Sequence, residues 1–78
     1  MTLDCLPFHH SATIAAIAWD ALPERDARRL RELGFDEGVA VTPLHGGGLW
    51  MGGRLAVRVG RMTVAIRARH AAQVHVTA

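Results

Sequence analysis

Near the middle of the chain, residues 30–41 read Leu-Arg-Glu-Leu-Gly-Phe-Asp-Glu-Gly-Val-Ala-Val, and this stretch leaves few folds open. Leu30 and Leu33 share one helical stripe, and Gly34 follows at the position where a helix stops, because glycine enters the left-handed region without a Cβ clash. Phe35 is then placed to fold back as an apolar lid on the helix end. Asp36-Glu37-Gly38 is a turn tripeptide, with Gly38 supplying a second positive φ. Val39 and Val41 point one way and Ala40 and Thr42 the other, which is the period of a strand. Helix stop, reversal and strand start therefore fold as one piece.

The helix that ends here is predicted over 23–33. Pro23 suits the first helical position, where no amide donor is needed. Glu24 and Asp26 sit in the first turn and Arg28, Arg29 and Arg31 in the second half, matching the helix dipole. Ala27, Leu30 and Leu33 form the buried stripe, and the arginines read as a solvated face. Upstream, 11–19 (Ser-Ala-Thr-Ile-Ala-Ala-Ile-Ala-Trp) places Ile14 and Ile17 at a spacing a helix can also use. Its β-branched residues favour a first strand, with a bulge around Ala15-Ala16 turning both isoleucines inward. Residues 1–10 form a short extended lead-in, with Pro7 breaking any regular element and Leu6 or Phe8 packing beneath the barrel.

Downstream, a strand over 38–44 leads into His45-Gly-Gly-Gly-Leu-Trp-Met-Gly-Gly53, a loop rich in glycine. It carries Leu49, Trp50 and Met51, which either fold back over the barrel mouth or form a contact patch. Arg54 to Arg67 is a hairpin turning at Gly60-Arg61, with glycine first as a type II′ turn prefers. Pairing Val59 with Met62 sets Val57 opposite Val64 and Leu55 opposite Ile66 on one face. Arg54, Arg58, Thr63 and Arg67 collect on the other. A single helical turn over 68–73 and a last strand at 74–77 complete the chain. The fold class is mainly β, a small five-stranded SH3-like barrel with one inserted α-helix at about residues 23–33, occupying residues 11–78 as one domain.

Composition narrows what such a barrel does. Its 78 residues are half hydrophobic but include only two Trp and two Phe, so the core is aliphatic. Nine basic residues, all arginine, oppose seven acids for a formal charge of +2. A phosphate-gripping domain shows a larger cationic excess. Arg54, Arg58, Arg61, Arg67 and Arg69 make a basic patch, yet no exposed aromatic accompanies it for base stacking, and no nucleic acid is expected. A single cysteine excludes an intramolecular disulfide framework. The N-terminus lacks the signal-peptide pattern and no apolar run is long enough to span a bilayer, so a cytoplasmic protein is expected. Gly46-Gly47-Gly48 lacks the Gly-Lys-Ser/Thr ending of a phosphate loop, and no nucleophile and base set is recognisable; no enzyme is expected.

Residues 28–41, with Leu-Ala-Val-Arg-Val-Gly at 55–60, Val-Ala-Ile-Arg at 64–67 and Ala-Gln-Val-His-Val at 72–76, resemble the FeoA family. The most specific part is the block Leu30-x-x-Leu33-Gly34-Phe35-x-x-Gly38-x-x-Val41. The resemblance implies an SH3-like barrel serving bacterial ferrous iron uptake as an accessory to FeoB, a membrane GTPase transporter, whose cytoplasmic domain would be the partner. It would place the chain in the cytoplasm, at the inner face of the membrane through that partner. The same domain closes iron-dependent repressors; with no helix-turn-helix ahead of the barrel, the stand-alone form is expected. Gly34, Gly38 and Gly60 read as structural turns. Trp50-Met51 and the segment Cys5-Leu-Pro-Phe-His-His10 depart from the family's usual look.

The candidate partner-binding residues are accordingly Leu49, Trp50, Met51, Arg54 and Arg58, with apolar anchors entering a groove and the arginines orienting it. Cys5, His9 and His10 are candidate ligands for weakly bound Fe²⁺ or Zn²⁺, although no cofactor is required. A metal-binding or regulatory SH3-like module is the alternative reading, and a nucleic-acid-binding barrel the more distant one. An open strand edge also allows self-association.

Overall fold

The computed structural model describes residues 1–46 and 53–77. Five antiparallel strands make one sheet: β1 (Ala12–Ile17), β2 (Ala40–Gly46), β3 (Arg54–Val59), β4 (Met62–Arg67) and β5 (Val74–Thr77). Their order is β4-β3-β2-β1-β5. Helix α1 (Glu24–Glu32) is inserted between β1 and β2, and the short α2 (Ala68–Ala71) joins β4 to β5.

Two bulges curl the sheet. In β1, Ile14 faces Val76 and Ala16 faces His75, leaving Ala15 without a partner. That extra residue turns both Ile14 and Ile17 into the core, as the sequence requires. In β2, Pro43 faces Val57 and His45 faces Ala56, leaving Leu44 over. Each bulge bends its strand and increases the local twist. Pro43 is tolerated in a central strand because β1 pairs with β2 only through Ala12↔Val41 and Thr13↔Ala40. Beyond them the Pro43 carbonyl accepts from the His9 amide at 2.7 Å, and no amide of residue 43 is needed.

The reversal after α1 is a Schellman cap. Phe35 N–H donates to the Leu30 carbonyl and Gly34 N–H to the Arg31 carbonyl, both at 3.0 Å, with Gly34 at φ +98°. Phe35 and Leu30, each 1% exposed, supply the apolar contact that accompanies this motif. The turn is then tied to β1, since Gly38 N–H donates to Ile14 O and Ile14 N–H to Val39 O. Phe35 and Leu30 join Leu3, Ile14, Val41, Val57 and Val74 in the aliphatic core. The hairpin has the expected register throughout, Val59↔Met62 to Arg54↔Arg67. Gly60 has φ +60° while Arg61 has no positive φ, which is type II′ rather than I′.

Several expectations need correction. Pro23 is the N-cap, with ψ 147°, one residue before the helix proper. β1 ends at Ile17, and Trp19 lies in a 3-10 turn (Trp19–Ala21) under the Arg31 guanidinium, 4.3 Å from its ring centroid. His45 and Gly46 belong to β2 rather than to the loop. Gly46 faces Leu55 so closely that a Cβ there would lie 2.7 Å from Leu55 Cδ1 and 2.8 Å from Arg54 O, which explains a glycine within a strand. The lead-in is not wholly extended: Leu3–Cys5 form a 3-10 turn. Leu3 and Leu6 enter the core, whereas Phe8 is 47% exposed. Thr2 bridges His75 and Val76 N–H donates to Met1 O at 2.8 Å, so the N-terminus runs along the outer edge of β5. No strand covers the outer edge of β4 among the described residues.

Candidate protein-binding site

The open edge of β4 faces α1 across a groove of about 530 Å³. The buried stripe of α1 supplies one side of its floor, Leu30 and Leu33; β4 supplies the other, Val64 and Ile66. Both follow from sequence periods, 3.6 in the helix and 2 in the strand. Arg25 and Arg29 stand on the helix wall, and Arg54 and Arg67 on the strand wall. All four are exposed, and none has a carboxylate within ion-pair distance among the described residues. Arg54 and Arg67 are direct cross-strand neighbours, an arrangement in which like charges repel.

The single carboxylate in the groove is Asp26, and it faces inward. Its Oδ2 lies 3.1 Å from Nε2 of His70, a residue on α2 that is buried. The approach does not satisfy hydrogen-bond geometry, so Nε2 has no hydrogen-bond partner among the described residues. The contact brings a side chain of α1 against one of α2. A smaller groove of about 330 Å³ lies on the far side of Arg54, between Leu6, Pro7 and Phe8 and the β3 residue Leu55. Arg54 borders both.

The family model of the FeoA domain matches residues 1–78. The chain belongs to the FeoA family. FeoA of Stenotrophomonas maltophilia, an SH3 domain protein solved in complex with zinc, has 39% identity and a TM-score of 0.80, over 99% of this chain and 89% of that one. FeoA of Chlorobium tepidum has 25% identity and a TM-score of 0.81, over 97% of this chain and 68% of that one. A manganese-dependent transcriptional repressor solved with manganese has a TM-score of 0.83 over 99% of this chain and 35% of its own, at 20% identity; that likeness is one of fold alone. Among curated proteins none matches the chain. The chain is thus an SH3-like FeoA protein associated with ferrous iron transport.

Of the residues singled out from sequence, Arg54 and Arg58 are exposed on β3, opposite Arg67 and Thr63. Leu49, Trp50 and Met51 lie outside the described residues. Gly34, Gly38 and Gly60 all have positive φ, as their turn roles demand. Cys5, His9 and His10 are exposed, and no three His, Cys, Asp or Glu side chains gather as a metal-holding group among the described residues. No described helix is long and apolar enough to cross a membrane. The sequence presents the arginines of α1 and of the hairpin as separate faces and gives no sign that His70 meets Asp26. Only the tertiary fold joins them.

Proposed function

We propose that this FeoA protein is a cytoplasmic accessory of bacterial ferrous iron uptake that acts by binding the cytoplasmic part of a FeoB-type membrane GTPase transporter. The observation that carries the reading is family membership over the whole chain together with 39% identity to S. maltophilia FeoA. Two features of this chain support it: the exposed β3 arginines Arg54 and Arg58, and Leu49, Trp50 and Met51 in the segment that leads into them. Aromatic and aliphatic anchors provide most of the affinity of a small interface, while rim charges set orientation and encounter rate.

Binding of the purified transporter domain to the wild type, to Trp50→Ala and to Arg54→Glu/Arg58→Glu tests the proposal. Each variant is expected to weaken binding roughly tenfold. A wild-type protein that does not bind the domain overturns the adaptor reading, and unchanged affinity in both variants removes this surface from it. The zinc bound by the S. maltophilia relative raises metal binding as a second reading. The exposed and dispersed Cys5, His9 and His10 do not fit a resident ion, and no step of the proposal runs through one.

A further inference from the structure

We propose that the groove between α1 and β4 is a docking site for an extended, acidic segment of a partner protein, which adds to the sheet as a strand beside β4. In a two-residue hairpin the residues flanking the turn exchange both backbone hydrogen bonds. Met62, Val64 and Ile66 therefore bond to β3, and the N–H and C=O groups of Thr63 and Ala65 point away from it. Those groups have no backbone partner among the described residues. Unpaired edges of this kind are templates for a further strand. The β5 edge differs, because Thr2 and Met1 already bond along it.

The side chains define what the added strand must be. Its residues alternate between two faces. On the inner face they meet the aliphatic floor of Leu30, Leu33, Val64 and Ile66; on the outer face they meet Arg67, with Arg54 beside it and Arg25 and Arg29 across the groove. A segment alternating acidic and aliphatic residues satisfies both. It also offsets the repulsion of four arginines gathered against one carboxylate that is turned toward His70. A second copy of the chain fits poorly, since pairing two β4 edges would bring both arginine sets together. Single-stranded nucleic acid would find the charge but, among the described residues, no Phe, Tyr or Trp lining the groove and only the buried ring of His70.

The test uses a fluorescein-labelled Glu-Val octapeptide and the full-length protein, followed by anisotropy, without any transporter. Saturable binding is expected, weakened roughly tenfold by Arg25→Glu/Arg67→Glu and weakened again when salt is raised from about 50 to about 500 mM. A peptide N-methylated at alternate residues, along the edge that faces β4, is expected to lose binding because its backbone donors are gone. A Lys-Val octapeptide is expected not to bind. Binding that survives both N-methylation registers overturns strand addition, and affinity unchanged in the arginine variant overturns the groove. An oligo-dT probe that displaces the peptide and binds the same arginines more tightly makes the surface a nucleic-acid site instead. Success or failure here is independent of the transporter experiment, which reads a different ligand and different variants.

Discussion

Gly34 carries a φ of +98° in a position where a Cβ would meet only Val59 Cγ1, at an ordinary 3.6 Å. Space is therefore not what requires glycine; backbone conformation is. Gly34→Ala should cost about 1–2 kcal/mol, read as a lower urea midpoint with an unchanged slope. An unchanged midpoint would mean that the cap does not hold the helix end. The Asp26–His70 contact acts differently, because it links α1 to α2 across a partly desolvated gap. A double-mutant cycle with Asp26→Ala and His70→Ala should show a coupling of about 1 kcal/mol; a coupling near zero would make the two residues neighbours only. The thiol and imidazoles of Cys5, His9 and His10 are exposed and ungathered. Chelator treatment should accordingly leave the thermal midpoint unchanged, whereas a metal-held fold would lose stability with its ion.

The bulge in β1 is the element on which the core's register depends. Removing Ala15 from the chain would rotate Ile17 to the opposite face, because strand side chains alternate strictly, and would take a buried isoleucine out of the core. The deletion should abolish cooperative unfolding, while Ala15→Ser, exposed at the same place, should change stability by less than about 0.5 kcal/mol. A cooperatively folded deletion variant would refute the register. This bulge, the hairpin pairing and the helix stop were all legible from sequence, since each is set by neighbours within a few residues and by one dominant preference. Trp19 was misplaced because a single β-compatible residue gives no signal that its strand ended at Ile17. Gly46 was misplaced because a close approach to Leu55 leaves no local trace. The groove was not legible at all: its helix wall read as a solvated arginine face and its strand wall as part of a separate basic, partner-binding patch, and only the tertiary fold sets them opposite each other.

At the scale of the molecule, charge is distributed unevenly. The chain nets only +2, yet four arginines and one carboxylate share a single groove, with Arg58, Arg61 and Arg69 exposed on the same or neighbouring elements. The opposite edge of the sheet is closed by the chain's own N-terminus. A protein built this way offers partners one side, where an aliphatic floor, an open strand edge and cationic walls coincide, and its association should weaken as salt rises. If the iron transporter is bound through Arg54 and Arg58, as proposed, it is met on that side. Amide chemical-shift mapping of the labelled protein, titrated with the transporter's cytoplasmic domain, locates the contact directly. Perturbations are expected over Arg54, Arg58 and the β3–β4 hairpin, with β5 and the N-terminal residues left in place; shifts centred on β5 and the N-terminus, or none at saturating domain, would refute contact on that side.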